Sequence, residues 1–382
     1  MDLKEAVKKS RAYLCLECGK CTSVCPVSKF NHGYSPRILL NQALRSTNID
    51  LLKDKNIWGC LTCRLCDEQC PADIDYISLT QAIRREAQKL GEEAICSHGG
   101  AAQSLMRIMT SENLNVRRMD WLDKNLKTAE TGEVLYFVGC LPYFDALFKD
   151  IGIESTSEAR STVKILNLLG ITPVVLPQER CCGHDLLWAG DSENFKKLAA
   201  YNIKEIKKSG AKKIVFSCPE CYRTFKIDYP RYFECNFELE HISEFLGKAI
   251  DGKQLKFKNT DKTVTFQDPC RLGRHLGIYD APRKIMNAIP GLKLNEMKRN
   301  RNRAICCGVS AWMNCSTYSK RIQMMRLKEA KETGADLLIV SCPKCDIHFN
   351  CAMKEPISKE PSETVEIKTI SLTTLIAEAI GE

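Results

Sequence analysis

Long apolar runs are missing from this 382-residue chain. No stretch of 18 apolar residues occurs, which predicts a protein that does not itself cross a membrane. The start, Met1-Asp-Leu-Lys-Glu-Ala-Val-Lys-Lys, lacks the apolar centre of a signal peptide and reads as a charged amphipathic helix. A cytoplasmic protein is expected, reaching the inner face of a membrane only through a partner subunit. Basic runs are absent too. The formal net charge is +9, yet lysines and arginines are interspersed with acids, so a nucleic-acid partner is not expected. The surplus charge suits an acidic substrate or partner protein instead. No G-x-G-x-x-G follows a strand-like run, so flavin or haem is expected on partner chains.

Cysteine, by contrast, is abundant, with 22 in the chain. A disulfide scaffold of this density would be far shorter, so reduced thiols in a reducing compartment are expected. Eight of them form two copies of C-x2-C-x2-C-x3-C-P: Cys15, Cys18, Cys21 and Cys25, then Cys60, Cys63, Cys66 and Cys70. This is the spacing of bacterial ferredoxin clusters, and two copies imply two [4Fe–4S] cubanes. Three thiolates on a tight turn reach three irons of one cube, and the fourth, after a short helical step, points at the other. Cys15, Cys18, Cys21 and Cys70 are therefore assigned to one cubane, and Cys60, Cys63, Cys66 and Cys25 to the second. Zinc or disulfides would not explain two complete copies.

Ten further cysteines occur as a repeated arrangement. Cys140, Cys181-Cys182-Gly183 and Cys218-Pro-Glu-Cys221 are followed by Cys270, Cys306-Cys307-Gly308 and Cys342-Pro-Lys-Cys345. Equivalent positions are separated by 130 residues for the lone cysteine, 125 for the pair and 124 for C-P-x-C. Spacing held that closely implies a duplicated fold with five thiolates converging in each copy. Five soft ligands exceed the needs of a tetrahedral zinc and suit a multi-iron cluster, although zinc using four of the five in one repeat stays open.

The pattern between the motifs places them. Residues 1–95 lack alternating strand patterns and predict an all-helical ferredoxin module. Ser35-Pro36 starts one helix, and Ile77, Leu79, Ile83 and Ala87 form the apolar stripe of another. Residues 96–131 are expected to be a mostly helical linker. From residue 132 short apolar runs alternate with helical segments, predicting two α/β domains, 132–255 and 256–382, each with a small parallel sheet. The class is α+β and multidomain. Strands are expected at Val134–Val138, Pro173–Leu176, Lys213–Ser217, Thr263–Gln267, Leu292–Met297 and Leu337–Ser341. Cys140, Cys218, Cys270 and Cys342 each lie just after such a run, where ligands collect at the carboxyl ends of parallel strands.

These residues together resemble the catalytic iron–sulfur subunit of heterodisulfide reductase in its D form, a fusion of C-like and B-like parts in one polypeptide with two CCG domains. The likeness covers nearly the whole chain and is marked in Asp268-Pro-Cys-Arg-Leu-Gly-Arg-His-Leu-Gly-Ile-Tyr-Asp-Ala-Pro-Arg, in Ile289-Pro-Gly and in His241-Ile-Ser-Glu-Phe-Leu. The resemblance implies a noncubane [4Fe–4S] cluster in each five-cysteine repeat: Cys140, Cys181, Cys182, Cys218 and Cys221 for one, and Cys270, Cys306, Cys307, Cys342 and Cys345 for the other. It implies a small disulfide such as that of coenzyme M and coenzyme B held between them. It also implies a hetero-oligomeric complex in which a flavoprotein, a ferredoxin- or hydrogenase-type protein or a membrane cytochrome subunit exchanges electrons. An electron-transfer subunit of another anaerobic flavoprotein or respiratory complex, with no substrate of its own, is the alternative.

Two departures bear on substrate. Val309-Ser-Ala-Trp-Met-Asn-Cys315 stands where the family commonly has glycines, and Arg271 where it tends to have histidine. Glycine allows close backbone approach, so Trp312 is expected to narrow the gap between the repeats, and a smaller or different partner than the coenzyme M–coenzyme B disulfide, or none, is expected there. Arg271, Arg274 and His275 are candidate contacts to an anionic substrate, and Trp312 is a fourth candidate substrate-binding residue. His184 and Trp188 are expected to pack locally. Cys96, Cys235, Cys315 and Cys351 lie outside the motifs and are expected to be buried structural thiols, Cys315 being the one that could line the pocket.

Overall fold

A computed structural model describes residues 3–45, 49–357 and 364–380. Met1 and Asp2, part of the predicted helix start, lie outside them. The N-terminal module is helical, and no strand forms before Val134 among the described residues. The helix Pro36–Arg45 begins where the sequence predicts, with the Ser35 hydroxyl accepting from the Ile38 amide at 3.4 Å. The helix Tyr76–Lys89 is capped by Asp75, whose carboxylate accepts from the Ser78 amide at 3.0 Å. Its predicted stripe of Ile77, Leu79, Ile83 and Ala87 is buried. Arg84 on the same helix is fully buried. It donates to the carbonyls of Ile57, Trp58 and Cys60 at 3.0, 2.9 and 2.7 Å, and to Trp188 at 3.2 Å. One guanidinium thus fixes the entry to the second cysteine run and ties the module to the first repeat.

Each repeat carries a parallel sheet. In the first, β1 (Val134–Phe137), β2 (Lys213–Phe216) and β3 (Glu238–His241) lie in the order β1-β2-β3. In the second, β4 (Lys262–Gln267), β5 (Leu292–Leu294), β6 (Leu337–Val340) and β7 (Lys368–Ser371) lie in the order β5-β4-β6-β7. The predicted strand at Pro173–Leu176 shrinks to a bridge at Val174, which exchanges hydrogen bonds of 2.8 and 2.9 Å with Val134 and Tyr136 of β1. Val174 stands where β5 stands in the second sheet. On its other side the segment faces the linker, where the Ala129 amide donates to the Pro173 carbonyl at 3.0 Å. The linker is helical only at its start, over Ala101–Ile108. Beyond it the backbone is irregular and is held by side chains such as buried Arg118 and Trp121.

The repeats pack reciprocally. The helix Thr156–Leu168 of the first lies against Leu372–Ala379 of the second, and Ile242–Asp251 of the first lies against Asp280–Ala288 of the second. Ile165, Ile242, Leu246, Ile285, Leu375 and Ile376 form the shared apolar core. Interiors of this kind hold their geometry to well under a side chain's width, so the cysteines at the sheet ends inherit a fixed separation. No helix of the described residues is long and apolar enough to cross a membrane.

Candidate functional site

The helical module encloses two cavities. One is walled by Cys15, Cys18, Cys21 and Cys70, with Leu16, Pro36, Leu40 and Ile74. The other is walled by Cys25, Cys60, Cys63 and Cys66, with Val27, Leu61, Leu65 and Ile77. Cys66 reaches the rim of both. The fourth cysteine of each run therefore stands among the first three of the other. Tight turns curl the thiols inward, with Gly19 at φ 76°, Thr62 at φ 50° and Arg64 at φ 62°. Cys60, Cys63 and Cys66 are buried, whereas Cys18 is exposed. Burial pushes the Cys25 thiol up to about 12, the response of an acidic group taken out of water without a cation. Apolar walls and four convergent sulfurs fit an iron–sulfur cluster in each cavity.

In each repeat the five thiols form a connected series. Cys140 neighbours Cys181, Cys181 neighbours Cys182, Cys182 neighbours Cys221 and Cys221 neighbours Cys218. The Cys182 and Cys221 sulfurs are 3.5 Å apart. The second repeat has the same order, Cys270–Cys306–Cys307–Cys345–Cys342. The glycine of each Cys-Cys-Gly sits at positive φ, 80° for Gly183 and 89° for Gly308. A Cβ there would come within 2.8 Å of Phe195 or of the Ser319 carbonyl. Only glycine lets the paired cysteines turn back over the sheet end. This donor set, five buried soft sulfurs per copy, suits a multi-iron cluster.

One contact joins the two kinds of site. The Cys63 thiol of the helical module neighbours Cys306 of the second repeat, and that interaction, aided by Arg274 and Arg271 against the cost of burial, brings it down to about 6. Arg271 donates to the Thr62 carbonyl at 2.7 Å and to its hydroxyl at 2.6 Å. Arg274 donates to the carbonyls of Cys63 at 2.5 Å and Ala304 at 2.7 Å. His275 lies 2.9 Å from the Thr62 carbonyl, and the Thr62 hydroxyl is 2.9 Å from that of Ser310. Arg271, Arg274 and His275 are all buried. The structure thus sets these predicted substrate contacts at the seam between module and repeat, with the hydrogen bonds above made to the protein itself.

Trp312 is buried between the repeats. Its ring stacks on Phe148 at 5.0 Å and meets Phe144 edge-on at 5.5 Å, both from the first repeat, and meets His348 of the second at 5.4 Å. It adopts φ 54°, as do Ala311 and Asn314 nearby at 52° and 53°, so the segment keeps the backbone form that favours glycine. Lys344 lies 5.2 Å from the Trp312 ring and forms buried ion pairs across the repeats with Asp185 and with Glu220, the latter at 2.6 Å. Burial pushes the Asp185 carboxyl up to about 7 against the pull of Lys344. His184, Asp185 and Glu220 approach each other as metal ligands would, but the Lys344 ammonium already supplies the cation there.

Several residues of the site carry no motif. Glu179 accepts from the Gly139 and Val138 amides at 2.6 and 3.3 Å and pairs with Arg118 at 3.0 Å, which fixes the loop that presents Cys140. His348 lies 3.3 Å from the Cys307 sulfur. A buried acid has no sequence signature, but His348, three positions past Cys345 on one helix, could have been found from helical spacing. His184 packs locally as expected, 3.0 Å from the Thr224 hydroxyl, but the Trp188 ring also meets Arg271 and His275 of the second repeat, at 4.5 and 6.2 Å. The expectation for the remaining cysteines needs correction. Cys351 is buried beside the Lys320 ammonium at 2.9 Å, but Cys96 and Cys235 are half-buried and Cys315 is exposed, because it follows the tight turn at Asn314 outward.

Comparison with known proteins agrees with this layout. The family described as "4Fe-4S dicluster domain" matches residues 11–74, and that described as "Cysteine-rich domain", the CCG family, matches residues 134–226 and 264–350. The D-type subunit of the dihydromethanophenazine:CoB–CoM heterodisulfide reductase of Methanosarcina barkeri is 30% identical, over 98% of this chain and 96% of its own length. An EtfAB:quinone oxidoreductase of Syntrophomonas wolfei is 25% identical over 93% of this chain, which spans 57% of that protein. A hypothetical protein from Helicobacter pylori has a similar fold, with a TM-score of 0.51 at 13% identity, covering 91% of this chain and 66% of its own.

Proposed function

The chain belongs to the family of D-type heterodisulfide reductase subunits, and on that premise we propose that it reduces a small disulfide at its paired five-thiol sites, as the electron-carrying iron–sulfur subunit of a larger complex. Cys15, Cys18, Cys21 and Cys70 would hold one cubane, and Cys60, Cys63, Cys66 and Cys25 the second. Cys140, Cys181, Cys182, Cys218 and Cys221, and Cys270, Cys306, Cys307, Cys342 and Cys345, would hold a noncubane cluster each. When bound, such clusters store single electrons. The reaction is RS–SR′ + 2e⁻ + 2H⁺ → RSH + R′SH, so two one-electron stores facing one S–S bond avoid release of a thiyl radical. The buried seam at Arg271, Arg274 and His275 keeps water from the passage between Cys63 and Cys306. The observation that carries the reading is that contact, which puts a thiol of the electron-carrying module against one of two matching five-thiol series.

Metal analysis tests the cluster content. Sixteen irons per polypeptide, four for each of four clusters, are expected; about twelve with one zinc would make one repeat structural. Turnover of the coenzyme M–coenzyme B disulfide by the purified subunit with an artificial reductant, at about 1–10³ per second, would establish that disulfide as the substrate; Trp312 between the repeats argues for a smaller one. Inactivity with full clusters would sink the substrate assignment. It would support the second reading, an electron relay to a flavoprotein or quinone-linked partner, which the indole filling the gap between the repeats favours. Trp312→Gly fits the positive φ and opens that gap. It should raise activity on the bulky heterodisulfide, and the same null rate in variant and parent would place the substrate elsewhere.

A further inference from the structure

A groove of about 750 Å³ runs between the helix Pro26–Phe30 of the helical module and the helix Thr317–Lys331 of the second repeat. Its floor is Phe30, Met324 and Met325, and its rim carries Lys29, Lys298, Arg299, Arg321 and Lys328. The acids there are Glu329 and Glu332, and Glu329 is committed to Arg299 and Arg326 at 3.1 and 2.7 Å. No carboxylate of the described residues pairs with Lys298, Arg321 or Lys328, and all three are exposed.

Building on the function proposed above, we infer that this groove is the docking surface of an acidic electron-carrier protein. The position is right for the task. Cys25, on the wall of the second thiol cavity, is the residue that caps the helix Pro26–Phe30. Five residues at 1.5 Å rise put the groove end of that helix about 7 Å from Cys25. The chemistry is right as well. Positive charges on long stems around an apolar floor steer an acidic partner and then bury its apolar centre. The two methionines adapt to a protein surface more readily than branched side chains. A small polyanion would instead need convergent buried donors, and the cations here stand at the rim. The competing face is the exposed apolar patch of Tyr13, Leu14, Leu16 and Ile38 near exposed Cys18, whose neighbouring charges Arg37 and Glu17 are paired with each other.

The test uses the full-length cluster-loaded protein and a small acidic two-cluster ferredoxin, pre-reduced, as probe. Stopped-flow bleaching should show a rate that falls steeply with salt. Lys298→Glu, Arg321→Glu and Lys328→Glu combined should lower the low-salt rate at least tenfold and remove its salt dependence. Dithionite, which needs no docking, should reduce parent and variant alike. An unchanged ferredoxin rate in the triple variant overturns the proposal. So does loss of the rate in Leu16→Glu with the triple variant unaffected. Binding of ATP or of phosphatidylglycerol vesicles abolished by the triple variant, with ferredoxin transfer intact, would reassign the groove to a small anion or a membrane. Failure of dithionite to bleach the parent would show instead that the proposed function is wrong, and this inference with it.

Discussion

In the first repeat the thiols are held by the repeat and the linker just before it: Glu179, paired with Arg118 of the linker, fixes the Cys140 loop, and Gly139 leaves only 3.0 Å between a would-be Cβ and the Cys221 sulfur. In the second they are held from outside, by a clamp of Arg271, Arg274 and His275 on Thr62 and Cys63 of the helical module. The same series of five thiols has therefore been placed in two electrostatic settings. The first sees a buried carboxylate, paired with the Arg118 guanidinium, beside its lone-cysteine loop, and the Lys344 ammonium from the other repeat near Cys181. The second sees two guanidinium groups, which favour the thiolate at Cys270 after its contact with Cys306. Cations near a thiolate site stabilise added negative charge. On the proposed function the second repeat, whose Cys306 neighbours Cys63 of the helical module, would receive an electron first and the first repeat afterwards.

The sharpest way to break this comparison is to cut one thiol series at a time. Cys306→Ser should stop electron delivery beyond the helical module, with a fall of at least about 10²-fold in reduction of the repeats, since an aligned contact is lost. Cys181→Ser should leave the second repeat reducible. Freeze-quench paramagnetic resonance distinguishes them, and equal loss in both variants would abolish the proposed order. Next in size is the wiring of the helical module. Cys25→Ser should damage the cluster held with Cys60, Cys63 and Cys66 and spare its neighbour, as read in low-temperature resonance spectra. Loss of the cluster nearest Cys15 alone would refute the crossed assignment.

Smaller effects concern the struts. Lys344→Met strands Asp185 and Glu220 in the interior and should cost about 3–5 kcal/mol in denaturant unfolding of the loaded protein. Adding Asp185→Asn and Glu220→Gln should return most of it, and no recovery would mean that the lysine stem, not its charge, joins the repeats. Arg274→Lys loses the forked donation to Cys63 and Ala304 and should cost about 1–3 kcal/mol, with a shifted signal from the Cys63 cluster. The equivalent conservative change at Arg118 should leave that signal alone and alter only the first repeat. If both variants shift the same signal, the two settings are not separate.

The residue pattern was enough for the helical module, the parallel sheets and the duplication, because cysteine spacing and alternating apolar runs are local and repeat. It also sufficed for the pairing of Cys25 with the second run and Cys70 with the first as an expectation, since a fourth thiol one helical step away cannot face the cavity of its own turn. It misjudged the linker, where helical composition loses to the anchoring of Arg118, and the length of the strand at Pro173, which pairs only through Val174 because Val174 is held between β1 and the linker at Ala129. Sequence alone could not show that Arg271 and His275 face Thr62 and Arg274 faces Cys63, more than 200 positions away, or that Lys344 and Glu220, equivalent residues of the two repeats, meet as an ion pair. A motif states which atoms are available within one stretch of sequence. Which distant carbonyl or carboxylate satisfies a buried charge depends on how two domains pack, and that was decided only when the helices of the repeats closed on one another.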